Sequence, residues 1–386
     1  MLQNFKDGVK DWFDPNSEEN KNYFKNQMYR LKIIGWIFVL SPFLLFLLIV
    51  VMEVEEQFNI TGLLFIPLHL SNYRLKIDLQ NNLFNLYENT KLCERTYSLL
   101  PFRILRSFHR TNNLINDFSP DIVIGTGGYA SALPLLVAST NKKNIPIILQ
   151  EQNSFPGITT KWFAKRAAKI CVAFKYKKSK LSGNIVYTGN PIRKDLSKGN
   201  KSLGYKNFYF NKNCKTIFLF GGSQGSSYLN NILSQTVKDF ENANIQVIWQ
   251  TGDNEYGKYK NYLSKKIHVT PFIDNMSEAY AISDLIICRS GALTISELTV
   301  CGKPAILIPF SHSAGDHQTK NAEVLVDSNA AKLISEKKLT KKNLFYTAMN
   351  LIHNEKALNE MRKASKAIGR PNATSKIVDY VLEKRL

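Results

Sequence analysis

From about residue 60 onward, short apolar runs alternate with stretches of helical period. The runs are Ile122–Ile124, Ile145–Leu149, Ile170–Ala173, Thr216–Phe220, Ile245–Trp249, Leu285–Cys288 and Ala305–Ile308. They are continuous rather than alternating, the pattern of strands covered on both faces, and helix-period segments between them supply crossovers. The pattern predicts parallel sheets in an α/β architecture: two doubly wound, Rossmann-like domains facing a cleft. A junction near 190–210, rich in Gly, Asn and Lys, divides a domain over 60–195 from one over 205–386 that includes a C-terminal helix. Upstream, residues 1–32 form a polar leader without period, and Ile33 to Met52 is a run of 20 residues with no charge. As a helix it would span about 30 Å, one bilayer core, which favours a membrane segment over a buried helix. It lies too far behind the polar leader for an ordinary signal peptide. Pro42 within it can kink it or make it re-entrant.

Composition narrows the classes of function. A chain of 386 residues, 44% hydrophobic, can bury two cores. Its net charge of +20 suits nucleic acid, an anionic membrane or a phosphorylated substrate. No zinc spacing, RNA-binding aromatic signature or recognition-helix pattern accompanies that charge, so nucleic acid is not expected as a partner. Five cysteines without a C-x-x-C pair fit a reducing compartment, and the six scattered histidines imply no metal site.

The chemistry concentrates where strands hand over to helices. Arg289–Glu297 (RSGALTISE) follows the Leu285–Cys288 run, with a glycine turn and then a helix start. Free N–H groups and the helix dipole there suit a phosphate, and Glu297, one turn in, can accept both hydroxyls of a ribose. An ordinary capped helix with a solvated glutamate fits the same string. Gly125–Tyr129 (GTGGY) and Gly221–Gly225 (GGSQG) also follow strands and allow close backbone approach to a ligand, although neither matches a dinucleotide fingerprint or a lysine-bearing P-loop. Asp316–Ala322 (DHQTKNA) offers amides suited to sugar hydroxyls, or a polar first helical turn. Gln150–Asn153 (QEQN) is polar for a strand end and contains Glu151, a candidate general base. Leu99–Arg110 mixes large apolar residues with arginines at helical spacing, as do helices lying on anionic membranes and also core-facing helices.

From about residue 95 to the C-terminus, six strings in order resemble the lipid-II-forming N-acetylglucosaminyltransferases of peptidoglycan synthesis, the MurG family. They are PDIVIGTGGYAS, LQEQNSFPGITTKWFAKRAAK, TGNPIR, FGGSQGSSYLN, TPFIDNMSEAYAISDLIICRSGALTISEL and DHQTKNA. The resemblance implies a GT-B fold and an inverting transfer of N-acetylglucosamine. The sugar would pass from UDP-N-acetylglucosamine to the muramyl 4-hydroxyl of lipid I, giving lipid II without a cofactor or metal. Carried onto this sequence, Ile273 and Arg193 flank the uracil and Glu297 takes the ribose hydroxyls. Ser223 and the Ala292-Leu293-Thr294 helix start hold the diphosphate, while Gln318 and Asn321 read the sugar. Gly127, Gly128, Tyr129, Glu151, Gln152 and Asn153 meet the acceptor. Phe102, Arg103, Leu105, Arg106, Phe108 and Arg110 face the membrane.

The sequence departs from the family in one respect. The family opens with a loop GGTGGH whose histidine is a candidate base, and no such string occurs here; the family's histidine before Glu-Gln-Asn is Gln150. Glu151 is the base candidate that remains. A catalytically impaired donor-binding membrane protein, or a GT-B transferase with another lipid-linked acceptor, are the competing readings. Basic residues before the 33–52 segment and acidic ones after it would place the leader in the cytoplasm and the enzyme outside. UDP-sugars are cytoplasmic. The conflict is met by a re-entrant segment, by an orientation set by later lysines, or by a disrupted upstream reading frame. The expected location is the cytoplasmic face of the cell membrane.

Overall fold

A computed structural model describes residues 100–141, 143–175 and 181–383. The leader, the 33–52 segment and the first part of the expected 60–195 domain lie outside the described residues. No helix among the described residues is long and apolar enough to cross a membrane.

Among the described residues the strands form two sheets, and every pairing is parallel. β1 (Val123–Gly125), β2 (Ile147–Glu151), β3 (Lys169–Val172) and β4 (Ile185–Tyr187) pair in chain order. The second sheet contains β5 (Thr216–Phe220), β6 (Gln246–Gln250), β7 (Ile267–Thr270), β8 (Leu285–Cys288), β9 (Ala305–Leu307) and β10 (Ala331–Leu333). Its order is β10-β9-β8-β5-β6-β7. The helices of the first half are α1 (Leu100–Phe118), α2 (Ala132–Thr140) and α3 (Ile158–Phe163). Then come α4 (Lys201–Asn207), α5 (Ser227–Asn242), α6 (Asp253–Tyr259), α7 (Met276–Ile282) and α8 (Ala292–Cys301), followed by α9 (His317–Asp327), α10 (Lys341–Ile352), α11 (Glu355–Ile368) and α12 (Ala373–Glu383).

All the continuous apolar runs except Ile122–Ile124, which gives β1 at the edge of the first sheet among the described residues, are central strands, because helices cover both their faces. On β5, Ile217 and Leu219 join α5, α10 and α11 in one buried cluster. Phe218 and Phe220 join α7, α8 and α9 in the other. The pattern reading missed β4, β7 and β10. These three are edge strands, with mixed burial, and an edge strand needs no continuous apolar run.

Strand order also locates the ligand crevice. The chain leaves β5 in one direction through β6 and β7, then restarts at β8 and runs the other way through β9 and β10. The β5–β8 boundary is thus a switch point, and crevices open beyond the carboxyl ends of strands at such points. Phe220 pairs with Cys288, so the loops beginning at Gly221 and Arg289 leave the sheet side by side.

One boundary differs from expectation. The C-terminal helix α12 does not pack on the second sheet: Ile377 is buried with Ile148 and Cys171 of the first, beside Tyr380 and Val381. The chain crosses between the halves twice, after β4 and again near Arg370. The crossings touch, since a Cβ on Gly189 would lie 2.4 Å from Arg370 Cβ. Helix α12 thus returns to the first sheet after the second crossing.

Beneath the crevice, buried Asn230 of α5 ties the helix to β6. It accepts from Trp249 Nε1 (2.9 Å) and donates to the Thr251 carbonyl (2.8 Å). Asn230→Ala leaves a buried N–H and a buried carbonyl unpaired, costing about 3 kcal/mol, which should lower the thermal unfolding midpoint by about 6–12 °C. The exposed neighbour substitution Asn231→Ala should leave the midpoint within about 2 °C.

Candidate active site

The loop after β5 is held by backbone packing. Gly222 and Gly225 adopt φ of 106° and 78°, and the Gly225 N–H donates to the Gly222 carbonyl at 3.2 Å. A Cβ on Gly225 would sit 1.9 Å from the Thr251 carbonyl oxygen, so that backbone lies directly against the next loop. Ser223 is exposed at the loop tip. Gln250, at the end of β6, fixes this loop to the next one: its Nε2 donates to the Gly222 carbonyl (2.9 Å) and its Oε1 accepts from Ile273 N–H (3.0 Å). Sequence reading gave Gln250 no role; the signal was an amide closing an otherwise apolar strand.

Beside this loop, α8 begins at a Gly291 cap that makes no side-chain hydrogen bond. The first-turn N–H groups, which no intrahelical carbonyl can satisfy, include those of Ala292, Leu293 and Thr294. Leu293 is exposed at this start. One turn in, Glu297 accepts from the buried Tyr280 hydroxyl at 2.9 Å. Burial pushes its carboxyl above the usual carboxylate range, while the Tyr280 hydrogen bond and the charge of Arg193 pull the other way. Arg193, an exposed residue of the crossing segment, therefore lies near enough to act on Glu297, and Ile273 is buried at the same edge.

Arg289 braces the crevice from below, and sequence reading assigned it no role. Buried at the end of β8, it pairs with Glu336 at 2.5 Å and donates to the Ile308 and Pro309 carbonyls and to Ser226 Oγ. Ser226 is the N-cap of α5, so a single guanidinium ties the glycine loop, β8 and the chain after β9 together. A cavity of about 720 Å³ opens here, lined by Gly221, Gly225, Arg289, Phe310 and Gln318 among others. A second cavity of similar size, about 730 Å³, lies toward the crossings beside Tyr187 and Arg370 and includes neither the glycine loop nor the α8 start.

The two sheets meet through asparagines. Asn190, of the TGNPIR string, accepts from Gln150 Nε2 (2.8 Å) and donates to the Gln152 carbonyl (3.0 Å), to Ser296 Oγ (3.0 Å) and to the Ala292 carbonyl (3.3 Å). Asn321 of α9 accepts from Ser154 N–H (2.8 Å) and donates to Asn153 Oδ1 (3.2 Å) and the Ser290 carbonyl (3.3 Å). Both are buried. The amide of Asn321 is thus engaged in joining the halves. Gln318 is engaged as well, since its Oε1 accepts from Phe310 N–H at 3.0 Å.

On the first sheet, Gly127 and Gly128 adopt φ of 83° and 72° with open space where side chains would be. Their carbonyls accept from Ser131 and Thr159, and Tyr129 is exposed beside them. The Gln152 amide reaches toward the Thr126 carbonyl at 3.5 Å. Glu151 is buried, and Asn153 N–H (3.1 Å), Gly157 N–H (2.9 Å) and Thr160 Oγ1 (2.5 Å) all donate to it. These three bonds make the Glu151 carboxylate a clamp on the loop after β2. On α1, Phe102, Leu105, Arg106 and Arg110 are exposed, while Arg103 and Phe108 are half-buried.

Comparison with known proteins follows this geometry. The glycosyltransferase family 28 C-terminal domain model matches residues 216–377 and the corresponding N-terminal domain model matches residues 79–172. Over 286 residues the chain is 41% identical to a Cytophaga hutchinsonii protein, covering 73% of this chain and 77% of that one. Over 327 residues it is 38% identical to one from Flavobacterium psychrophilum, covering 82% of each. Both are UDP-N-acetylglucosamine–N-acetylmuramyl-(pentapeptide) pyrophosphoryl-undecaprenol N-acetylglucosamine transferases. The chain belongs to this MurG family of glycosyltransferases. The crystal structure of Acinetobacter baumannii MurG superposes with a TM-score of 0.61 at 29% identity, covering 73% of this chain and 79% of that one. The two parallel-sheet halves are therefore those of a GT-B glycosyltransferase.

The tight loop yields a paired prediction. Gly225→Ala must displace the backbone of Thr251, whereas Gly222→Ala, with no atom within 4 Å of the added Cβ, carries only backbone strain of about 1–2 kcal/mol. Thermal unfolding and UDP titration should both show the larger loss for Gly225→Ala. Equal losses would mean that the loop is not held by this contact.

Proposed function

We propose that the protein transfers N-acetylglucosamine from UDP-N-acetylglucosamine to the muramyl 4-hydroxyl of lipid I, inverting the anomeric centre and forming lipid II. The observation that carries the reading is the convergence at the β5–β8 switch point, in a chain of this family. There the Gly221–Gly225 loop, the open start of α8 and the Glu297 carboxylate share one edge of the second sheet.

Each part has a task in the transfer. As the bond to the sugar breaks, negative charge grows on the diphosphate oxygens. The N–H groups and dipole of the α8 start, with the loop around Ser223, stabilise that charge without reorganising. Glu297 accepts the ribose hydroxyls, with Tyr280 fixing its orientation, and Arg193 and Ile273 flank the base. Gln318 and Asn321 face the sugar from α9, and the Gly127–Tyr129 and Gln152–Asn153 segments face the acceptor. The resting hydrogen bonds of Gln318 and Asn321 exchange when the sugar enters.

The acceptor is lipid-linked, so the enzyme works at the cytoplasmic face of the membrane. Support comes from α1, which exposes Phe102 and Leu105 beside Arg106 and Arg110. Apolar anchors with basic neighbours suit an anionic bilayer surface.

Two outcomes test the reading. Purified protein should bind UDP-N-acetylglucosamine and glycosylate a lipid I analogue in detergent; binding without transfer would remove the enzymatic function. Glu297→Ala should weaken donor binding by about 100-fold, the loss of two hydrogen bonds to a charged group. Glu297 must be ionised to accept the ribose hydroxyls. Its carboxyl is raised by burial, so donor affinity should fall on acidification at a higher pH than an ordinary carboxylate would give. Tyr280→Phe removes a bond that favours the ionised form and should move that fall to still higher pH. On the membrane side, Phe102→Glu with Leu105→Glu should abolish the share of binding to anionic vesicles that survives high salt in sedimentation. Unchanged sedimentation would exclude α1 as the contact.

A further inference from the structure

Among the described residues only two buried side-chain polar atoms have no hydrogen-bond partner, Ser154 Oγ and His317 Nδ1. Buried polar atoms are nearly always paired, so an orphan asks for an explanation. These two belong to one place. Ser154 sits on the loop after β2, where its N–H donates to Asn321 Oδ1 at 2.8 Å. His317 opens α9, one helical turn before Asn321 and on the same face. The orphans therefore face the seam between the two sheets, where donor and acceptor halves meet.

We propose that His317 is the proton acceptor of the transfer, taking the proton of the attacking acceptor hydroxyl on Nδ1. The proposal rests on the glycosyl-transfer function above. In the step, the hydroxyl O–H bond breaks and its proton passes to Nδ1 while the oxygen bonds to the anomeric carbon. The bond from that carbon to the diphosphate oxygen breaks, and its electron pair leaves on the nucleoside diphosphate.

Elimination and environment support the assignment. Glu151 is engaged by three donors from its own loop, and Glu297 accepts from Tyr280. Of the other described histidines, His109 lies on α1, His268 on β7 against Phe208 and His353 at the end of α10, while His312 lines the donor-side cavity beside Phe310 and not the seam. Burial lowers the His317 pKa, with Lys320 and Lys161 acting in the same sense and Glu151 and Asp316 opposing. The ring is thus kept neutral and able to accept a proton.

The test uses the full chain in detergent, with UDP-N-acetylglucosamine and a lipid I analogue. His317→Ala and His317→Asn should lower kcat by about 100-fold or more. Donor affinity and the unfolding midpoint should stay at native values, and added imidazole should raise the rate of His317→Ala in proportion to its concentration. Rates within about threefold of native in both variants would overturn the proposal. So would a fall that imidazole does not relieve, or one matched by an equal loss of donor affinity, since either marks a structural role. If the native protein binds donor but transfers nothing, the transferase function itself fails.

Discussion

The parallel pairing of β5 with β8 is the constraint on which the rest depends. These strands are neighbours in space but lie on opposite arms of the winding, so the chain's two crossover directions diverge at their ends. Their register, with Phe220 opposite Cys288, releases two loops from the same level of the sheet. One becomes a glycine turn and the other a helix start. Each loop alone only closes an ordinary strand–helix unit. Their adjacency brings backbone N–H groups together from two directions, the arrangement on which the proposed diphosphate site rests.

What keeps that adjacency is a set of buried polar bonds, each costly to break because its partners have no water to turn to. Gln250 fixes the glycine turn to the Ile273 segment, and Arg289 fixes it to β8 and to the chain after β9. Arg289 is buried, and its ion pair with Glu336 stands because the remaining donors reach carbonyls and Ser226. An unpaired guanidinium in that position would be strongly destabilising. These residues touch no reacting atom on this account; they preorganise the groups that do.

The sequence makes some of this legible and hides the rest for physical reasons. Central strands such as Thr216–Phe220 and Leu285–Cys288 announce themselves because both faces are covered, which forces an unbroken apolar run. Edge strands β4, β7 and β10 escape because one flank needs no such run. The motif strings of the donor side are readable since backbone requirements, such as positive φ at Gly222 and Gly225, restrict residue choice. Glu151 shows the difficulty: polar residues at a strand end suggest catalysis, and the folded carboxylate also accepts from Asn153, Gly157 and Thr160 of its own loop. Gln250 and Arg289 are equally polar residues at strand ends, and only the folded contacts separate scaffold from chemistry. The return of α12 to the first sheet is invisible for a similar reason, since an amphipathic helix does not name the sheet it covers.

The seam between the sheets shows how such a protein can be both held together and able to move. Asn190 sits beside the first crossing and joins β2 to α8 through four hydrogen bonds. Asn321 joins the loop after β2 to α9 and to the end of β8. Each amide bond across the seam is worth only about 1 kcal/mol net. Both asparagines are buried, so breaking the seam leaves their partners unpaired unless an incoming group replaces each bond. Asn321 and the orphaned His317 lie one turn apart on the same face of α9, so a single helix carries both the seam and the proposed proton acceptor.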